Sequence, residues 1–458
     1  MKPSPSPWSF IPTLYFPCGM MGVLGIWQIM GLFKVLGYSN TAVSLVGGLG
    51  FVGAFRFLYA PWLDGIASKR SLALVTQGLA VVLYGVIGAI IGLRPPPAVF
   101  LWILLPVLLL LAFVAAANET AIDGFYIRAL DEKLQAQFIG VKTAGYRVGS
   151  LFVSLVVGWI GARIAAHYGA VVADSPDKTG FYISNAMIFG SMAVLAAFFL
   201  FFNWRQAPAL ANDLPVRHSG FALGEMLKDY FSQKSIGLIC ALIVFYRFGE
   251  GFLSGMMGPF SLDPVSKGGM GLPISSGPLM GAIGGMPMMI IGGILGGFLI
   301  KRFGLRRTFI PLALSMSLPN LGSVFLAIFQ PTAHFLLFGE QIFTWLLLAS
   351  ILENLTYGMS FSAIAYYITV MASESGRNKT SILAVSTALQ SVSFYLPMML
   401  SGPLHSLVGY TGVFLASVLG GLPAVFLIPH LPMPRSECGE ASGEHAVSPD
   451  GSPDVVAS

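Results

Sequence analysis

Long apolar runs alternate along this chain with short polar interruptions. Runs long enough to span a bilayer occur near 11–33, 40–63, 71–92, 99–122, 138–162, 181–202, 236–257, 275–300, 308–329, 344–371, 380–401 and 410–430. A helix needs roughly 20 apolar residues to cross the hydrocarbon layer, and each run approaches or exceeds that. Strands of a closed barrel would be about half as long and would alternate apolar with polar, which these runs do not. Only helices and closed barrels satisfy every backbone polar group in lipid, so the pattern predicts twelve transmembrane helices.

The pattern also repeats. Leu63-Asp64-Gly65-Ile66-Ala67-Ser68-Lys69-Arg70 returns as Leu295-Gly296-Gly297-Phe298-Leu299-Ile300-Lys301-Arg302, with Lys69 and Lys301 232 residues apart. Glu119 and Glu353 are 234 residues apart, and Tyr15-Phe16 and Tyr246-Arg247 recur at a spacing of 231. One six-helix unit is therefore used twice in parallel, an arrangement that resembles the two halves of a major-facilitator transporter. The expected fold is an all-α membrane protein with two parallel six-helix repeats. Its expected divisions are an N-terminal half at 1–202, a cytoplasmic linker at 203–235, a C-terminal half at 236–431 and a disordered tail at 432–458. Within the linker, Phe221, Leu223, Met226, Leu227, Tyr230 and Phe231 suggest an amphipathic helix lying along the inner face. The Gly- and Pro-rich stretch 258–274 is placed to cover the outer mouth.

Composition removes the soluble classes: 55% of residues are hydrophobic and only 10% charged, against about 25% charged in soluble domains. If the N-terminus is inside, sixteen Lys and Arg fall on inner segments and five on outer loops. That bias predicts a multi-pass protein of the cell (inner) membrane with both termini cytoplasmic. Cys18, Cys240 and Cys438 make no disulfide framework. The histidines are scattered, so neither a metal nor a cofactor is expected, and no nucleic-acid partner is expected either. Gly48-Leu49-Gly50-Phe51-Val52-Gly53 matches a dinucleotide fingerprint in form only, because it lies inside a span with no strand before it. There, and at Gly292, Gly293, Gly296 and Gly297, small residues are expected to let helices approach closely.

Charge inside hydrocarbon costs roughly 2.5–3.5 kcal/mol per residue and marks function by default. Glu119 and Asp123 lie in the fourth span, Arg247 and Glu250 in the seventh and Glu353 in the tenth, while Gln28 and the Tyr15 hydroxyl lie in the first. In a two-fold six-helix repeat these four spans are equivalent. Glu119 and Asp123 are four apart on one helix face, and two carboxylates in low dielectric do not both ionise easily. Glu119, Asp123, Glu353 and Glu250 are thus the candidate proton-coupling acids. The structural alternative is that Arg56 or Arg147 neutralises Glu119 or Asp123, and that Arg247 and Glu250 neutralise each other. Candidate solute contacts are Gln28, Arg147, Arg247, Tyr126, Tyr146 and Tyr246, since a guanidinium clamps a carboxylate or phosphate at two points. Trp27, Tyr366 and Tyr367 are further aromatics of this kind, although most aromatics in membrane helices pack or sit at the interface.

Several stretches resemble a known family. Asp64 with Lys69 and Arg70 resembles the major-facilitator loop motif, with Ala60 where its glycine usually falls. The resemblance implies that these residues cap a helix and gate the halves. Phe57-Leu58-Tyr59-Ala60-Pro61-Trp62-Leu63-Asp64 is similar to a motif of the peptide/acetyl-CoA/drug transporter family, which includes AmpG-like permeases. Ala121-Ile122-Asp123-Gly124-Phe125-Tyr126 with Gly145-Tyr146-Arg147-Val148-Gly149, and Leu352-Glu353-Asn354 with Gly358 and Lys379-Thr380-Ser381, resemble two more of its elements. That family includes permeases for muropeptides, acetyl-CoA and some siderophores. The resemblance implies a symporter that moves a bulky, anionic solute inward with protons by alternating access, and a monomer is expected. The alternatives are a proton-antiport exporter, which shares the fold, and a membrane acyltransferase, which would need a clustered catalytic His that is lacking here. A sensory receptor would bind a solute without flux.

Overall fold

The computed structural model describes residues 6–23, 28–210, 213, 223–233, 235–374 and 379–432. Among them the twelve apolar runs are helical. Span 1 is Pro7–Val23 continued by Ile29–Val35, and span 2 is Asn40–Gly47, a 3-10 stretch Gly48–Phe55 and Arg56–Ile66. Spans 3 and 4 are Lys69–Leu93 and Pro97–Ala129. Span 5 is Glu132–Leu155 and Gly161–His167 joined by a π turn Val156–Ile160, and span 6 is Thr179–Gln206. In the second half, span 7 is Ile236–Tyr246 and Phe248–Leu262, and span 8 is Ser276–Met280, a π turn Gly281–Gly285 and Met286–Phe303. Span 9 is Leu305–Ser317 and Leu321–Phe329, and span 10 is Thr344–Glu374.

The run Lys379–Leu427 is helical for 49 residues except at Gly409, whose φ is +67°. At 1.5 Å per residue a straight helix of that length would be about 70 Å long, more than twice the hydrocarbon thickness. Gly409 breaks it, and the chain folds back as spans 11 and 12. Consequently Phe394 before the break and Ser417 after it both lie against span 7, at Gly251 and Gly249 respectively.

Close helix crossings follow the glycines. A methyl group on Gly19 would fall 2.0 Å from the Tyr146 carbonyl oxygen, and one on Gly149 would fall 2.2 Å from that of Phe16, so spans 1 and 5 touch backbone to backbone. Gly292, Gly296 and Gly358 do the same between spans 8 and 10. The expectation for small residues needs correction at Gly53 and Gly297, which have no neighbour within 4 Å, and Gly293 makes only a loose approach of 3.9 Å to Ser362. Two seams join the halves. Gly48 and Gly50 face Met399 and Tyr395 where span 2 meets span 11, and Gly158 faces Pro278 where span 5 meets span 8. The irregular backbone at Gly48–Phe55 and Gly281–Gly285 begins at equivalent places in the repeat, in the spans that form these seams.

Helix Leu223–Phe231 is present within the linker. Its Tyr230 is buried against Ala372, Ile382 and Val385 of the second half. Phe221 and the tail beyond 432 lie outside the described residues. One feature of the chain between spans 9 and 10 was not anticipated: an antiparallel hairpin of β1 His334–Leu337 and β2 Glu340–Phe343. Its two turn residues, Phe338 and Gly339, both have positive φ, as a tight I′ hairpin turn requires.

Candidate functional site

A cavity of about 780 Å³ lies between the halves, lined from both of them by spans 1, 2, 4, 5, 6, 7, 8, 10 and 11. Of the residues singled out in the sequence, Gln28, Glu119, Tyr146, Arg147, Arg247, Glu250 and Glu353 line it. Asp123, Tyr126 and Tyr246 do not. Trp27 lies outside the described residues.

In the N-terminal half, Arg56 Nη1 meets Glu119 Oε2 at 3.0 Å, with both side chains partly open. Gln28 Nε2 donates to Asn185 Oδ1 at 2.9 Å, joining spans 1 and 6 at the cavity wall. Asp123 belongs to a separate group nearer the termini. It accepts from the Tyr15 hydroxyl at 2.7 Å and from Lys142 Nζ at 2.7 Å, and Lys142 also lies over the rings of Tyr15 and Tyr126. Its counter-ion is thus Lys142, not Arg56 or Arg147. Tyr126 donates its hydroxyl to the Gln135 carbonyl and packs among buried apolar residues, which corrects its reading as a cavity contact.

In the C-terminal half, Arg247 Nε donates to Glu250 Oε2 at 3.1 Å, and its Nη2 donates to the Tyr357 hydroxyl at 3.1 Å. Its guanidinium also stacks over Phe394, so Arg247 is already well coordinated. Tyr246, one residue before it, is only 2% exposed and binds Ser360 through its hydroxyl. The helix turn that directs Arg247 inward directs Tyr246 into the core, which corrects its reading as a solute contact. Tyr367 is likewise buried, whereas Tyr366 is partly exposed. Sequence reasoning missed the cavity residues Tyr357, Tyr395 and Asn185. Their types are common in spans, and only their position in the bundle distinguishes them.

The loop between spans 2 and 3 is held by the end of span 6 and the start of the linker. Ser68 caps span 3 by accepting from the Ser71 amide, and the amides of Lys69 and Arg70 each donate to the Asp213 carboxylate at 2.8 Å. Asp213 also pairs with Arg128 at 2.8 Å. Arg70 donates its guanidinium protons to the Ala207 and Trp204 carbonyls at the end of span 6. Asp213 from the linker is therefore a capping acid of span 3, and the side chain of Asp64 lies outside the described ones. In the second copy Lys301 and Arg302 are exposed and make no ion pair among the described residues, so the two copies differ.

The polar bridges between halves gather at the end of the bundle remote from the termini. Lys34 of span 1 pairs with Asp263 after span 7 at 2.6 Å, both nearly buried. Asn40 donates to Tyr410 at 2.8 Å, and Tyr410 donates to Asp263. Arg163 of span 5 pairs with Glu340 of the hairpin at 2.8 Å. The 258–274 stretch joins this closure through Lys267 with Asp174 and through the Ile274 amide on the Val171 carbonyl. Nearer the termini, the described polar contacts stay within a half or between a half and the linker.

No protein-family model matches the chain. It is similar to the anhydromuropeptide permease of Escherichia coli, with 22% identity over 398 residues, covering 85% of this chain and 73% of that protein. It is 24% identical over 431 residues to putative transporter AmpG 2 of Rickettsia typhi, covering 92% of this chain and 95% of that one. In three dimensions it matches the partially occluded inward-open xylose transporter XylE from E. coli, with a TM-score of 0.63 at 13% identity over 92% of this chain and 97% of that one. The nucleoside transporter NupG matches with a TM-score of 0.62 at 15% identity over 92% and 96%. The chain has the major facilitator fold and is similar in sequence to AmpG transporters. Among the described residues, nine helices are long and apolar enough to cross a membrane, as a multi-pass membrane protein requires, and the relatives it resembles are named as a permease and a transporter.

Proposed function

We propose that this transporter imports a bulky, anionic, muropeptide-like solute together with protons, as a monomer in the inner membrane with both termini cytoplasmic. The observation that carries the reading is the Arg56–Glu119 ion pair, whose acid lines a solute-sized cavity formed by both halves. A volume of about 780 Å³ is in the upper part of the usual ligand-pocket range of roughly 300–1,000 Å³. Protonation of Glu119 removes its charge and releases Arg56, which changes the electrostatics of one half relative to the other. Arg147, also on the wall, attracts the anionic group of the solute. The AmpG relatives, one of them named for anhydromuropeptides, support that solute class. Asp123, Glu250 and Glu353 rank behind Glu119 as coupling acids: Asp123 is off the cavity, Glu250 is neutralised by Arg247, and Glu353 has no cation to release among the described residues.

The test is transport in proteoliposomes with an imposed proton gradient and a labelled anhydromuropeptide. The wild type is expected to concentrate the solute and move protons with it. Glu119→Gln is expected to lose accumulation, by tenfold or more, while still exchanging solute down its own gradient. Full accumulation by this variant would overturn the coupling assignment. Flux only toward the face opposite the termini would favour the exporter.

A further inference from the structure

Six Asp, Glu, Lys or Arg side chains line the cavity among the described residues: Lys34, Glu119, Arg147, Arg247, Glu250 and Glu353. Four have ionic partners. Lys34 pairs with Asp263, Glu119 with Arg56, and Arg247 with Glu250. The other two, Arg147 and Glu353, make no ion pair and no side-chain hydrogen bond, either with each other or with any described residue. Arg147 leans on the Tyr146 ring at 5.9 Å and belongs to span 5 of the first half, while Glu353 belongs to span 10 of the second. One cavity thus holds one unpaired basic side chain and one unpaired acidic side chain, on opposite halves.

Closure of the halves on a solute would exclude water, and a lone charge in a water-poor site is strongly disfavoured unless something pairs with it or, for an acid, it takes up a proton. A neutral solute would leave Arg147 unpaired, and a purely anionic solute would leave Glu353 to take up a proton rather than find a partner. We propose that the anionic group of the transported solute is accompanied by a cationic one, making it zwitterionic, with a carboxylate bound by Arg147 and an ammonium bound by Glu353. The solute then bridges the two halves, and occlusion requires both of its ends. This inference rests on the solute-cavity reading above, but not on the coupling role of Glu119.

The test uses the purified full-length transporter and two probe sets. The first is an anhydromuropeptide carrying a diamino acid with a free amine and carboxylate, together with its N-acetylated and carboxamide forms. The second is a lysine-containing dipeptide in the same three forms. Binding is read by competition and thermal shift. For the wild type, acetylating the amine or amidating the carboxylate is expected to weaken binding about tenfold or more, the scale of one lost charge-assisted contact. In Glu353→Gln the free-amine and acetylated forms should bind within about twofold of each other, and in Arg147→Gln the acid and amide forms should do so. Equal binding of all three forms of the anhydromuropeptide by the wild type overturns the zwitterion assignment and leaves the muropeptide reading standing. Discrimination among the dipeptides with silence from every anhydromuropeptide overturns the muropeptide reading and keeps the zwitterion. Silence from both sets overturns both. Because the ligand forms are compared on unmodified protein, the result does not depend on either variant folding.

Discussion

Asp213 shows how much one side chain outside the spans can hold. Its carboxylate accepts from two amides at the start of span 3 and pairs with Arg128 at the end of span 4, and it is almost completely buried. An anion at a helix N-terminus satisfies free amides and interacts favourably with the positive end of the helix dipole. Asp213→Ala removes all of this and leaves the Arg128 guanidinium without its partner carboxylate. The expected loss is about 2–4 kcal/mol, given 1.5–3 kcal/mol for hydrogen bonds to charged groups and the added penalty of an unpaired cation. A thermal melt in detergent should show a fall of several degrees, with solute affinity of the remaining folded protein unchanged. An unchanged melt would mean that Ser68 alone suffices as the cap.

At the level of helices, the glycines separate into those that carry a crossing and those that do not. Gly402 on span 11 is pressed on span 2: a methyl group there would fall 2.3 Å from the Ser44 hydroxyl oxygen and 2.5 Å from the Asn40 carbonyl oxygen. Overpacking of this kind typically costs about 1–3 kcal/mol. Because this contact lies between the halves, Gly402→Ala should disfavour the closed far side more than it disfavours folding. The expected result is greater labelling of cysteines introduced beside Asn40 from the face remote from the termini, and slower transport. Gly297→Ala, at a position with open space away from the cavity lining, serves as a control and should behave as wild type. Equal labelling in both variants would remove Gly402 from the closing seam.

For the molecule as a whole, the far-side closure sets which face of the cavity is reachable. The Lys34–Asp263 pair is the most buried ion pair between the halves among the described residues, with 10% and 9% of the two side chains exposed. Removing one member of a buried pair costs about 3–5 kcal/mol, chiefly because the other charge is left without compensation. Asp263→Asn is therefore expected to shift the population toward conformers open on the far side, raising labelling there severalfold. The exchanged pair Lys34→Asp with Asp263→Lys should recover part of the closure. Failure of the exchange to restore any closure would assign the effect of Asp263 to its contacts with Asn40 and Tyr410 instead.

The amino-acid sequence alone determined the twelve spans, the doubling of a six-helix unit and the concentration of charge in spans 4, 7 and 10. These are local properties: in lipid each segment must satisfy its own backbone, so run length and composition suffice. A repeat is also visible without knowing how its copies meet. Tertiary structure alone decided the partners. Lys142, not Arg56 or Arg147, neutralises Asp123; Asp213 caps span 3; Arg247 is occupied by Glu250 and Tyr357; and Arg147 and Glu353 are left open in the cavity. Each of these depends on how far a helix is rotated about its axis and which neighbour it crosses. Those angles are set by contacts between residues far apart in the chain, such as Gly19 on Tyr146 and Gly249 on Ser417. The side of a helix that faces water, protein or lipid in such a bundle is fixed only when all of those contacts form together.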